Sequence, residues 1–187
     1  MDNQDNFELN FSLKGNASIQ IGIYFFVAAF VIKSIINGYL IENPFFGTLS
    51  IETVEIITIV ITFFTFLLSG LALYFKGKRK AKKAAYELWN AKTKKVFWLM
   101  ILSFTGIFLL LLLFLNLGFV DIITPSFLLL YGLLIFLNKN KKRKDLLILT
   151  SVCLLLGTIT ILIPSYWYSS LFILGIAHIT YGITVRN

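Results

Sequence analysis

Hydrophobic and polar positions fall in long blocks along this chain, not in the short alternation of a soluble fold. Six mainly apolar runs cover 18–41, 51–75, 96–115, 120–137, 146–163 and 166–185, with short polar breaks between them. A spanning helix needs about 20 such residues to cross about 30 Å of hydrocarbon. The blocks therefore predict an all-α, polytopic membrane protein with six transmembrane helices. The third run, VFWLMILSFTGIFLLLLLFL, carries no charge, and the fourth is the shortest. A tail over 1–17 precedes the six-helix domain of 18–187. Within it Phe7, Leu9, Phe11 and Leu13 alternate with Glu8, Asn10 and Ser12, a strand-like spacing. The tail lacks a basic n-region and a small-residue cleavage motif, so it reads as a cytoplasmic or interfacial segment.

Composition agrees: 58% of the 187 residues are hydrophobic and only 14% are charged, which excludes a single soluble core of ordinary type. Charge then adds orientation. Of seventeen Lys and Arg, nine lie between Lys76 and Lys95 and five between Lys139 and Lys144. These two basic runs fall in the second-to-third and fourth-to-fifth connections, which an even number of crossings places on one side. The alternate connections, around ENPFFGTLS, NLGFVDIITP and IPSYW, contain no Lys or Arg. The excess of Lys and Arg marks the cytoplasmic side, so both termini are expected to be cytoplasmic, in a bacterial inner membrane. The net charge of +8 is thereby absorbed as a topology signal, and nucleic acid is not the expected partner.

The first basic run also has helical spacing. Ala81, Ala84, Ala85, Leu88 and Trp89 recur on one side with lysines on the others, and neither Gly nor Pro interrupts between Gly77 and Gly106. A basic cytoplasmic helix is expected over about 78–95, lying along the interface or continuing into the third span. Lys78, Arg79, Lys82, Lys83 and Trp89 are its candidate contacts for anionic lipid headgroups or for a cytoplasmic protein partner. A juxtamembrane basic residue contributes about 1 kcal/mol near such a surface.

The three prolines, Pro44, Pro125 and Pro164, fall in or beside the three outer connections. This suggests three helical hairpins pointing the same way. Gly175, His178 and Gly182 share one face of the sixth helix, and Gly157, Ser151, Thr158 and Thr160 are similar small-residue positions on the fifth. Small residues let helix backbones approach closely. The leucine-rich third helix is expected to be peripheral.

Ionisable groups at membrane depth are costly and mark candidate sites. Lys33 lies about 12 Å inside the outer end of its helix at 1.5 Å per residue, and can snorkel outward or pair with Glu55 at the start of the next helix. His178, the only histidine, is expected to make an interhelical hydrogen bond or to act as a proton relay or pH sensor. Lys33, Glu55 and His178 together are the candidate ion-path residues. One histidine and one cysteine give no metal site, and no nucleophile with its base, P-loop or dinucleotide fingerprint is present, so neither cofactor nor enzyme activity is expected. Tyr166, Trp167 and Tyr168 read as an aromatic belt at the outer interface.

KRKAKKAAYELWNAKTKK before a very apolar span, then ITPSFLLLYGLLI, then LGIAHITYG, resembles a group of small uncharacterised six-span bacterial integral membrane proteins. The resemblance runs roughly over 70–182. The group's proline and Tyr-Gly of helix four look like Pro125, Tyr131 and Gly132, and its His and Tyr-Gly of helix six look like His178, Tyr181 and Gly182. NKNKKRKD departs from the group in being more basic. The three-hairpin layout is also similar to that of six-span acid-resistance membrane proteins. The resemblance implies an architecture and a bacterial inner membrane, and no reaction. Two functional expectations follow: a non-enzymatic accessory, regulatory or stress-related membrane component, or a small channel or transporter for ions, protons or a small solute. Either is compatible with a homo-oligomer.

Overall fold

The computed structural model describes residues 13–41, 47–83, 89, 91–137 and 145–185. Among the described residues the fold is all-helical, with six α-helices: α1 (Asn16–Leu40), α2 (Ile51–Lys83), α3 (Ala91–Asn116), α4 (Val120–Leu137), α5 (Leu146–Leu162) and α6 (Trp167–Thr184). A short 3-10 turn, Pro164–Tyr166, links α5 to α6. Four helices are long and apolar enough to cross a membrane, and α5 is equally apolar but shorter. The alternating tail lies almost wholly outside the described residues.

The helices keep their backbone groups satisfied internally, as hydrocarbon demands. Hydroxyls inside the spans follow the same rule. Thr58, Thr62, Thr65 and Ser69 each donate to the carbonyl four residues earlier in α2. Gly118 (φ +78°) ends α3 with a left-handed residue, while the Gly118 and Phe119 amides close onto the Leu115 and Phe114 carbonyls. That paired closure turns the chain tightly into α4, and a side chain at position 118 would strain it.

Glycines decide which helices meet. On α1 and α6, Gly22 faces Gly175, and Gly182 sits against the Gly15 carbonyl and Ile19. On α4 and α5, Gly132 rests on Cys153 and Gly157 on Leu128 and Leu129. These two pairs, α1 with α6 and α4 with α5, are the most intimate in the fold. The hairpin partners expected from the prolines, first with second, third with fourth and fifth with sixth, pack less closely. Proline marks where a helix begins, whereas glycine on a shared face sets how near two backbones come. The small-residue reading of α6 therefore holds, while on α5 only Gly157 and Thr160 of the four positions are buried; Ser151 and Thr158 are exposed.

α3 is peripheral as expected, with Ile107 and Leu111 its buried apolar side chains. α2 has 33 residues, so at 1.5 Å each it is about 50 Å long and exceeds the hydrocarbon thickness. Lys78, Arg79, Lys82 and Lys83 form its C-terminal end, where cations complement the helix dipole. Of the basic stretch, residues 78–83 extend α2 and residues 91–95 open α3. Positions 84–88 and 90 lie outside the described residues.

Candidate functional site

His178 of α6 meets buried hydroxyls from two other helices. Its side chain is fully buried, as is Ser18 of α1. Ser18 Oγ donates to the His178 carbonyl at 2.8 Å and lies 3.3 Å from Nδ1, while Tyr131 Oη of α4 lies 3.0 Å from Nε2. A hydroxyl has one proton, and that of Ser18 is committed to the carbonyl. Its oxygen therefore accepts from Nδ1–H, which leaves Nε2 to accept the Tyr131 O–H. In this arrangement both ring nitrogens are engaged. Phe25 of α1 stacks on the ring at a centroid distance of 5.8 Å and closes the site from the side. The approach that this bond requires exists because Gly22, Gly175 and Gly182 bring α1 and α6 together.

A second polar cluster sits at the ends of α1, α5 and α6. Lys14 Nζ lies 3.4 Å from Asp145 Oδ2, and Tyr181 Oη donates to the same oxygen at 2.7 Å. The Lys76 ammonium of α2 donates to the Lys14 carbonyl. Partial burial works against ionisation of Asp145, but the Tyr181 hydroxyl and the Lys14 charge outweigh it and hold the carboxyl below the usual aspartate range. Four segments are thereby tied at the end of the bundle that carries the basic runs.

The candidate ion-path residues are not brought together. Lys33 Nζ stands 4.3 Å from the centre of the Tyr168 ring at the start of α6, within the range of a cation–π contact. Glu55 is exposed, and among the described residues no ion pair joins it to Lys33. The expected Lys33–Glu55 pair fails because the closest neighbour of α1 is α6, which turns Lys33 toward the aromatic belt. Ser18, Lys14 and Asp145 escaped the sequence reading. The one signal for Asp145 is that it is an acid directly following the second basic run.

A cavity of about 520 Å3 lies beside the His178 network, touching it through Tyr131. Its wall is almost wholly apolar and aromatic, drawn from all helices except α6, with Ser69, Tyr74, Thr105 and Tyr131 its polar members. Trp89 stands near the basic end of this wall, 5.1 Å from Phe97 and 6.2 Å from Tyr74, ring centre to ring centre. Lys78, Arg79, Lys82 and Lys83 are exposed or project beyond that end, apart from the His178 cluster.

No known protein family matches the chain, and no curated protein or solved structure matches it either.

Proposed function

We propose that the protein is a six-span, non-enzymatic component of the bacterial inner membrane with an accessory, regulatory or stress-related role. Both termini and the two basic connections face the cytoplasm, where anionic lipid or a protein partner meets the basic end of α2. The observation that carries this reading is the closed His178–Ser18–Tyr131 network. Its hydrogen-bonding groups satisfy one another across three helices, so the polar interior serves cohesion of the bundle and not passage. The adjoining cavity is apolar, and an ion would be left without ligands there.

The channel or transporter alternative needs Lys33, Glu55 and His178 along one path. Their separate surroundings give it no specific support. Ion and proton flux through the purified chain in liposomes tests the choice. The expected result is no flux above protein-free liposomes across a panel of ions and pH values. Flux that falls in a folded Lys33→Met variant would overturn the accessory role in favour of transport.

A further inference from the structure

The apolar cavity has a direction and a charged mouth. On α2 its wall runs from Phe63 to Tyr74, and on α3 from Phe97 to Phe108. Eleven helical rises of 1.5 Å make both walls about 16 Å long. Half of a hydrocarbon core of about 30 Å is about 15 Å, so the cavity is as deep as one leaflet. Phe63 meets Phe108 at the far end, 5.8 Å between ring centres, which stops the cavity near mid-membrane. α2 and α3 do not pack closely backbone to backbone, and Leu67, Leu71 and Ile101, all cavity-lining, are exposed to the side. The cavity therefore opens between α2 and α3 toward lipid.

Charge stands at the near end on both flanking helices. Lys78 is four residues beyond Tyr74, and Lys94 is three before Phe97 and seven before Ile101. At helical spacing both continue the faces that line the cavity, and both are exposed. A ligand suited to this place has a chain as long as one leaflet and a negative group at its cytoplasmic end.

We infer that this cavity binds one acyl chain of an anionic phospholipid of the cytoplasmic leaflet, with the headgroup phosphate between Lys78 and Lys94. Trp89, beside Tyr74 and Phe97, covers the glycerol region at the mouth. The inference rests on the membrane placement proposed above and on no part of the accessory role. A chain that conducts ions yet keeps the lipid would overturn the role alone. A silent chain without the lipid would overturn this inference alone.

Gly70 supplies the test. It lines the cavity, and a side chain there would enter open space, as it would at Gly106, which does not line it. The full chain, purified in detergent and stripped of lipid, is titrated with dioleoyl phosphatidylglycerol or dioleoyl phosphatidylcholine. Bound lipid is counted by native mass spectrometry, and folding is checked by circular dichroism and size exclusion. One phosphatidylglycerol should be retained, preferred by about tenfold or more over phosphatidylcholine, and Lys78→Gln with Lys94→Gln should erase that preference. Gly70→Phe should lose the retained lipid, as should Thr105→Phe from the opposite wall, which decides the matter if Gly70→Phe does not fold. Gly106→Phe should keep it. Equal retention in the cavity-filling variants, equal binding of the two phospholipids, or displacement of the phospholipid by oleate at equal concentration would each overturn the assignment.

Discussion

Gly22 and Gly175 face each other so closely that a methyl group on Gly22 would stand 2.5 Å from the Gly175 carbonyl oxygen. Backbone must move to accept it. Overfilling a packed interface costs about 1–3 kcal/mol, so Gly22→Ala should destabilise the folded chain by that amount. Gly106→Ala, with open space around it, should be neutral or stabilising by about 0.5–1 kcal/mol, since alanine is the better helix former. Unfolding in mixed micelles with increasing dodecyl sulfate measures both. Equal effects at the two positions would show that α1 and α6 do not meet through these glycines.

The His178 network makes a prediction about coupling. Tyr131→Phe removes the O–H that Nε2 accepts and leaves a buried acceptor unsatisfied, at a cost of about 1–3 kcal/mol. Removing both partners leaves neither end of the Tyr131–Nε2 bond unsatisfied. The double variant Tyr131→Phe with His178→Leu should therefore cost less than the sum of the single ones, by about 0.5–3 kcal/mol. Strict additivity in the same unfolding assay would mean that the bond makes no contribution.

For Lys33 the partner is Tyr168, not Glu55. A cation over a ring that water still reaches contributes about 0.5–1 kcal/mol, and Lys33 and Tyr168 are both half-buried. Lys33→Met should fold and lose no more than that, and its effect should depend on Tyr168 but not on Glu55. Double-variant cycles with Tyr168→Leu and Glu55→Gln separate the two. Coupling to Glu55 alone would restore the ion pair and refute the cation–π contact.

How much of this was legible in the sequence follows from the range of each signal. Helix number and extent are local: the six apolar runs match six helices to within a few residues, except where the basic end of α2 runs on to Lys83. Packing partners are not local. Gly175, His178 and Gly182 marked the close face of α6, yet nothing near them in the chain says that Gly22 and Ser18, the latter 160 residues before His178, complete it. Lys33 was read with its neighbour in sequence, and its true neighbour is set by those glycines. Asp145 was hidden among basic residues because a charge count cannot distinguish a solvated acid from one held by Lys14 and Tyr181.

Asp145 gives a prediction with a sign. Its carboxyl ionises below the free aspartate value of 3.8 because the Tyr181 hydroxyl and Lys14 favour the charged form over the penalty of partial burial. The unfolded chain therefore binds more protons than the folded one in this window, and stability rises with pH there. The contribution is complete above the free value and is lost as the pH falls through the lower, folded value. The two side chains are only 26% and 22% exposed, but water still reaches them, so high salt should weaken the effect. Unfolding followed between neutral pH and about pH 3 should show an acid loss of stability that is smaller in Asp145→Asn. Lys14→Met should likewise shrink that loss, because the folded carboxyl then lacks its cation and its ionisation moves back toward the free value. An acid limb unchanged by either substitution would mean that this cluster does not tie the helix ends together in the folded protein.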